Sequence, residues 1–223
     1  MHNGIQRTFA EFVGTAALTA TVVGSGIMAD RLSEGNAAVA LLANTAATAA
    51  ALLVLIRLLA PISGAHFNPV VTLTESLSRR LSHRIACFYL VGQLLGAVIG
   101  TLLANAMFDL PLLQIASKVR VSPGCLVSEV VATAGLLLVI RKSTATSVAS
   151  HVALYIAAAY WFTASTSFAN PAVTVGRIFT DTFAGIAPAS AAAFIPAPLI
   201  GALLGLLLHK LLSQQPTPED ETP

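Results

Sequence analysis

Charged residues are scarce in this chain of 223 residues. They make up 10% of the sequence, with 12 Lys and Arg against 10 Asp and Glu, whereas a soluble domain carries about 25%. Apolar residues make up 56%, and the mean hydropathy is +0.80. The net charge of +2 is spread over polar segments, which gives no support to nucleic-acid binding. The composition predicts an integral membrane protein.

Cysteine and intramembrane acid are also rare. The two cysteines, Cys87 and Cys125, lie near the starts of apolar segments without the spacing of metal ligands, and we interpret them as packing residues. An intramembrane enzyme would need a nucleophile beside a base, or paired aspartates. The aspartates fall in loops or in the tail: Asp30, Asp109, Asp181 and Asp220. We therefore expect neither enzymatic activity nor a cofactor or metal.

Six apolar stretches are each long enough to cross about 30 Å of hydrocarbon. The predicted spans are 8–29, 37–60, 85–107, 123–140, 148–165 and 191–212. Residues 214–223 are acidic and rich in proline, so we expect a disordered tail. The sequence thus predicts a single all-α domain over residues 1–213.

Two polar segments interrupt the apolar pattern at a place where a membrane span should be continuous. Each holds an Asn-Pro pair, Asn68-Pro69 and Asn170-Pro171. Asn is a favoured N-cap, and Pro is favoured at the first helical position. A helix over 68–78 reaches only about half of the bilayer. Irregular backbone at this depth is tolerated where it is buried in protein or lines a water-filled cavity.

The distribution of Lys and Arg gives an orientation. One side of the six-span arrangement carries eight: Arg7, Arg57, Arg79, Arg80, Arg84, Arg141, Lys142 and Lys210. The other side carries four: Arg31, Lys118, Arg120 and Arg177. The positive-inside rule then places both termini in the cytoplasm of a multi-pass protein of the inner (plasma) membrane.

The two halves of the chain, about 8–107 and 123–212, repeat one another. The stretch 10–15 resembles 128–133, the two Asn-Pro segments correspond, and 94–97 resembles 199–202. Because each half has three spans, the second half must be inverted relative to the first. Inverted repeats with broken helices place a solute site near the midplane, where the half-helices meet.

These motifs resemble the aquaporin and aquaglyceroporin channels, the major intrinsic protein family. The resemblance covers residues 8 to 210 and rests on five patterns. They are Ala10-Glu11-Phe12-x-Gly14-Thr15, Ser63-Gly64-Ala65-His66-x-Asn68-Pro69, Gln93-x-x-Gly96-Ala97, Asn170-Pro171-Ala172 and Pro198-x-x-Gly201-Ala202. The resemblance implies six transmembrane helices, two re-entrant half-helices meeting end to end, one pore per subunit and a homotetramer in the lipid membrane.

The signature residues carry the expected pore chemistry. The amides of Asn68 and Asn170 can donate hydrogen bonds to a neutral solute once their oxygens are held by backbone, although plain helix capping is the alternative. The two helix N-termini, each with roughly half a positive charge, oppose cations. Val70 stands where the family usually has Ala, a change expected to affect packing more than chemistry.

Two acids lie inside predicted spans, where each costs a few kcal/mol on insertion scales. By resemblance, Glu11 and Glu129 brace the re-entrant loops, and a proton relay is the alternative. His66 is expected either to pack the first loop or to offer a polar edge to the inner pore.

The selectivity filter departs from the family pattern. An Arg usually follows the second Asn-Pro-Ala, and here that position is Val173. Spacing from the two Asn residues gives the other filter positions as Thr48, Ala158 and Ser167, although a register error of one residue is possible at Thr48 or Ala158. In aquaporin-type channels, selectivity depends on pore diameter, hydrogen-bonding groups and electrostatic barriers. Four small, uncharged residues predict a wide and less polar constriction.

Two further residues bear on this constriction. Arg177 lies four residues after Val173 and can restore a positive charge at the outer mouth, or else anchor to headgroups or pair with Asp181. Asn44, one turn from Thr48, is an alternative polar lining of the second span.

The sequence therefore predicts a passive channel for water and small uncharged solutes such as glycerol, urea and the neutral hydroxides of metalloids, including arsenite. The Val at the Arg position resembles bacterial members associated with arsenic handling. The alternatives are a water-selective aquaporin and a secondary transporter.

Overall fold

The computed structural model describes residues 3–213, and these residues form helices and connecting loops without any β-strand. The long helices are α1 (Gly4–Leu32), α2 (Ala37–Ser63), α4 (His83–Met107) and α5 (Pro123–Lys142). The shorter ones are α3 (Pro69–Leu77), α6 (Val148–Phe162), α7 (Pro171–Gly176), α8 (Pro188–Phe194) and α9 (Pro196–Leu211), with a 3₁₀ helix (Arg177–Phe179) after α7. The predicted tail, 214–223, lies outside the described residues.

The predicted spans are confirmed as helices, with shifted ends. Four of the helices, together with the combined segment Pro188–Leu211, are long and apolar enough to cross a membrane. The fifth span is shorter than predicted, because α6 has only 15 residues and the chain turns after Phe162 to enter the second loop. The sixth span starts at Pro188 rather than at residue 191, and the helix is interrupted at Ile195, directly before Pro196.

The two predicted half-helices are present and begin where the Asn-Pro pairs predict. Asn68 caps α3 and Asn170 caps α7, each with extended backbone and with Pro at the first helical position. The first half-helix ends at Leu77, one residue before the predicted end at residue 78. In the second, the α-helical part stops at Gly176 and continues as the 3₁₀ turn.

Close helix pairs show the inverted repeat in the packing. The helix α1 packs along α4, and α5 packs along α9. Each pair crosses at a glycine, Gly96 or Gly201, where an added Cβ would collide with a backbone carbonyl of the facing helix. Small residues let helix backbones approach closely in membranes, where apolar burial gives little drive for association. The recurrence of this contact in both halves fixes the bundle around a central space.

Candidate solute pore

A cavity of about 360 Å³ runs between the two halves of the bundle. Two helical stripes with a spacing of four residues form much of its wall. They are Thr48, Leu52 and Ile56 on α2, and Val152, Ile156 and Tyr160 on α6. The wall is therefore largely apolar, and polar groups come mainly from the two loops and from the ends of the half-helices.

The two signature asparagines meet near the middle of this cavity and tie the loops to each other. The Asn68 Nδ2 donates to the Ala169 carbonyl at 2.7 Å, and the Asn170 Nδ2 donates to the Phe67 carbonyl at 2.8 Å. Each Oδ1 accepts hydrogen bonds from backbone N–H groups of its own helix, and these bonds prevent the side-chain amide from flipping. This is the orientation in which both amides point N–H groups toward the space between them.

The residue before each asparagine has a left-handed backbone. Phe67 has φ +49° and Ala169 has φ +44°, conformations that cost an L residue roughly 1–2 kcal/mol. Such strain persists only where surrounding contacts fix the backbone. In both loops the strained residue supplies the carbonyl that accepts from the opposite asparagine.

Glu11 supplies the fixing contacts for the first loop. Its carboxylate accepts from the Phe67 N–H at 2.7 Å, the His66 N–H at 2.9 Å and the Ser63 hydroxyl at 2.6 Å. The amide of Gln93 donates to the same carboxylate at 2.8 Å. The side chain is fully buried, and all four of these partners donate hydrogen bonds to its carboxylate. This is the bracing arrangement that the family resemblance implies.

Glu129 does the same for the second loop. It accepts from the Phe168 N–H at 2.9 Å and from the Ala169 N–H at 2.7 Å, and it is also fully buried. Neither acid lines the cavity, so the structure offers no contact for a proton relay along the solute path.

The end of the cavity beside α3, named the inner end after the predicted orientation, is polar. His66 lines it and its Nδ1 lies 3.0 Å from the Thr72 hydroxyl, so this residue both packs the loop and faces the space. Further along α3, Glu75 forms an ion pair with Arg141 at 3.0 Å, and both line the cavity. Arg141 also donates to the Thr74 carbonyl, which holds the pair against the half-helix.

At the opposite end, named the outer end after the predicted orientation, three of the four predicted filter residues line the cavity: Thr48, Ser167 and Val173. Ala158 does not, and its assignment to the filter is wrong. It is exposed on the outside of α6, because the cavity-facing stripe of that helix runs through Val152, Ile156 and Tyr160. The Tyr160 hydroxyl lies 3.4 Å from the Thr48 hydroxyl, so an aromatic ring stands at this level of the cavity.

Asn44 does not line the cavity, which corrects the suggestion that it is the polar lining of α2. It is buried against α1, where its Nδ2 donates to the Val22 carbonyl at 2.9 Å and to the Ser25 hydroxyl at 2.8 Å. Its role is to join the first two helices.

Arg177 lines the cavity and is only 5% exposed. Its Nε donates to the Ala184 carbonyl, and its guanidinium lies over the Phe168 ring, 3.6 Å from the centroid. The proposed pairing with Asp181 is wrong. That carboxylate instead accepts from the Ser117 N–H and hydroxyl, bonds that lower the pKa of Asp181 below its ordinary value.

The remaining signature residues are buried at the starts of the two half-helices. Val70 and Ala172 are fully buried and do not touch the cavity, and Pro69 and Pro171 start the two helices beside them. The Val in place of Ala at residue 70 thus lies in the packed interior of the bundle.

Comparison with known proteins agrees with this geometry. Residues 2–148 match the family described as major intrinsic protein. The chain is 50% identical to the aquaglyceroporin AqpS of Rhizobium meliloti over 96% of this chain and 92% of that protein. It is 29% identical to aquaporin Z of Rhodopseudomonas palustris over 93% of each chain.

The fold is also found among solved structures. The aquaglyceroporin from Plasmodium falciparum superimposes with a TM-score of 0.76, covering 95% of this chain and 98% of that one at 22% identity. Together with the helices long and apolar enough to span a membrane, these similarities show that the chain is a membrane channel rather than an enzyme, and that it belongs to the major intrinsic protein family.

Proposed function

We propose that this protein is a passive channel for small uncharged solutes larger than water, namely glycerol, urea and the neutral hydroxides of metalloids such as arsenite. The observation that carries this proposal is Val173, an apolar residue lining the cavity one turn beyond Asn170. The AqpS relative, named an aquaglyceroporin, supports the glycerol part of the proposal.

The lining suits a solute with hydroxyl groups on one side and an apolar or weakly polar surface on the other. Each signature asparagine spends one N–H on the opposite loop and keeps a second for the solute. Among residues 3–213 the buried Ser167 hydroxyl has no protein partner, and it lines the cavity. Opposite these groups, the leucine, isoleucine and valine stripes demand little hydrogen bonding from the solute.

Neutral metalloid hydroxides share this chemistry. Arsenite at neutral pH is an uncharged trihydroxide, so it carries donors and acceptors much as glycerol does and brings no charge to desolvate. A cavity that admits glycerol by hydroxyl recognition is therefore also suited to a smaller neutral trihydroxide.

Stopped-flow light scattering on proteoliposomes tests the proposal by comparing glycerol and trivalent arsenite in one preparation. We expect both to enter well above the rate in empty liposomes. If only water crosses faster than in empty liposomes, the proposal fails and the channel is water-selective.

That water-selective alternative has a specific observation in its favour. The 3.4 Å approach of the Tyr160 and Thr48 hydroxyls narrows the cavity from two sides, and Arg177 adds a third large side chain near the same end. The glycerol arm of the experiment decides between the two, because a constriction closed by these side chains would still pass water.

We also propose that the chain forms one channel domain over residues 1–213 and assembles as a homotetramer in the inner (plasma) membrane, with both termini in the cytoplasm. Contacts of Lys142 with Leu212 and of Arg141 with Thr74 support a common side for these arginine-rich ends. A pore enclosed within one chain supports one pathway per subunit. Cross-linking in membranes and reporter fusions at each terminus test the assembly and the orientation.

A further inference from the structure

Arg177 occupies the outer end of the cavity from an unusual place in the chain. It follows the last residue of α7, one turn beyond Val173, and both side chains line the same cavity. Helical side chains tilt toward the N-terminus of their helix, so the Arg177 side chain lies back over the level of Val173. A cationic group is thus present beside the apolar residue of the constriction, supplied from one turn further out.

The guanidinium is held in a fixed orientation. Its Nε donates to the Ala184 carbonyl, and its plane rests on the Phe168 ring. That ring is itself held edge-to-face by Phe194, with centroids 5.3 Å apart. Within residues 3–213 the two Nη groups make no hydrogen bond to protein, although the side chain is buried, so they face the cavity.

Within residues 3–213 no acid forms an ion pair with Arg177. The buried Glu129 acts on it electrostatically but is hydrogen-bonded to the Phe168 and Ala169 N–H groups. In the described part of the chain the ion pair of the cavity is Glu75 with Arg141, at the inner end. Asp181, the acid nearest in sequence, is exposed and engaged by Ser117. Arg177 therefore places an unpaired positive charge, with free N–H donors, in the outer part of a largely apolar cavity, where electrostatic interactions are less screened than in water.

We propose that Arg177 is the specificity-determining residue of the outer mouth. Its positive charge excludes cations even when a neutral solute of the same size can pass, and its N–H groups donate hydrogen bonds to the hydroxyl or carbonyl oxygens of passing solutes. The inference rests on the proposed neutral-solute channel. It assigns the charge discrimination to a side chain one turn away from the position that the sequence pattern indicates, Val173.

Urea and the guanidinium ion provide the test, because they are planar, nearly equal in size and differ in charge. Fluxes of both are measured in proteoliposomes with wild-type protein, Arg177→Gln, Arg177→Lys and Arg120→Gln. Arg120 is the matched control, since its guanidinium lies 5.6 Å from the same Phe168 ring and bonds to the same loop, yet it does not line the cavity.

We expect wild-type, Arg177→Lys and Arg120→Gln proteins to pass urea and exclude guanidinium. Arg177→Gln should keep urea flux within about twofold and raise guanidinium flux roughly tenfold or more, because removing a like charge a few ångströms away changes the barrier by at least that factor. The inference is overturned if Arg177→Gln still excludes guanidinium, or if Arg120→Gln leaks equally. Failure of the proposed function is a separate result, the absence of urea and glycerol flux in the wild type.

Discussion

Val173 has a small apolar side chain at the outer end of a cavity that is otherwise bounded there by Thr48, Tyr160 and Ser167. A substituent at this residue changes the open cross-section directly, because α7 is held by the Asn170 cap and by the brace of its loop. A substitution at residue 173 therefore tests how the channel selects solutes by size without changing how the channel folds.

The change Val173→Arg should reduce glycerol and arsenite flux about tenfold, which corresponds to a barrier higher by about 1.4 kcal/mol, while some water flux remains. The physical reason is that a long cationic side chain fills the space beside Ser167. Stopped-flow measurements of the three solutes check this, with Val173→Ala as the control that should leave all fluxes equal or higher. Unchanged glycerol entry in the Arg variant would show that residue 173 does not bound the constriction.

The loop-bracing acids give a second prediction at the residue scale. In Glu129→Gln, one of the two acceptors for the Phe168 and Ala169 N–H groups becomes an NH₂ donor that faces another donor. A hydrogen bond to a charged group contributes about 1.5–3 kcal/mol, so the variant should lose about this much stability. Thermal unfolding in detergent measures the loss.

The matched control is Glu34→Gln, an acid in the exposed turn after α1. It should unfold at the wild-type temperature. Equal melting temperatures for Glu129→Gln and the wild type would contradict the bracing role.

At the residue scale, the structure places the two Asn-Pro pairs at the starts of the half-helices and places Ala158 away from the cavity. The Asn, Pro and Glu residues could be identified because polar groups and helix breaks inside a membrane span cost free energy unless they have hydrogen-bond partners or a structural role. Ala158 was assigned by counting from Asn170, and the count fails because the cavity-lining stripe of α6 runs through Val152, Ile156 and Tyr160 on another face of the helix. The stripe of apolar residues ending at Tyr160 was the available signal, but it looks the same whether it faces lipid or a cavity.

At the scale of the elements, the helix pairs α1–α4 and α5–α9 depend on glycines at their crossing points. An added side chain at Gly96 would meet the Phe12 carbonyl, which belongs to the rigid backbone of a facing helix and cannot move aside. The half-helices rest on these pairs, since α3 and α7 both pack on α4.

We therefore expect Gly96→Leu to destabilise the bundle by about 1–3 kcal/mol or more and to abolish solute flux, since overpacking forces the helices apart. Gly124→Leu is the control, because the nearest atom to an added Cβ there is the Ser122 hydroxyl at 3.9 Å. Size-exclusion profiles and melting temperatures of the two proteins compare them. Normal assembly and flux in Gly96→Leu would show that the crossing is looser than the structure indicates.

At the scale of the whole molecule, the two half-helices bring their N-termini to the centre of the cavity from opposite sides. Each N-terminus carries a partial positive charge, and Arg177 and Arg141 add formal positive charges along the cavity. The charge of Arg141 is balanced by Glu75, so the two N-termini and Arg177 carry the opposition to cations, and a neutral solute meets no such barrier.

We accordingly predict that the channel excludes protons although Val173 replaces the usual Arg. A pH gradient across proteoliposomes should decay no faster than across empty liposomes, as followed with an entrapped dye while glycerol flux is high. Faster collapse of the gradient in the protein-containing vesicles would contradict it.

Passive flow through a continuous cavity gives another expectation for the intact protein. Glycerol flux should rise linearly with concentration and depend only weakly on temperature, because no conformational cycle limits it. Initial rates over a wide concentration range check this. Saturation would instead indicate a secondary transporter that works by alternating access.

The sequence by itself determined the membrane fold, the inverted repeat, the two half-helix starts and the need of Glu11 and Glu129 for internal partners, whereas their bracing role was implied by the family resemblance. It did so because membrane insertion penalises every charge, proline and open backbone that has no structural use. The tertiary structure alone decided which face of α6 meets the cavity, that Asn44 joins two helices, and that Arg177 turns inward onto Phe168 rather than outward to Asp181. These outcomes depend on contacts between residues distant in the chain, and neither periodicity nor spacing records which neighbour a side chain meets.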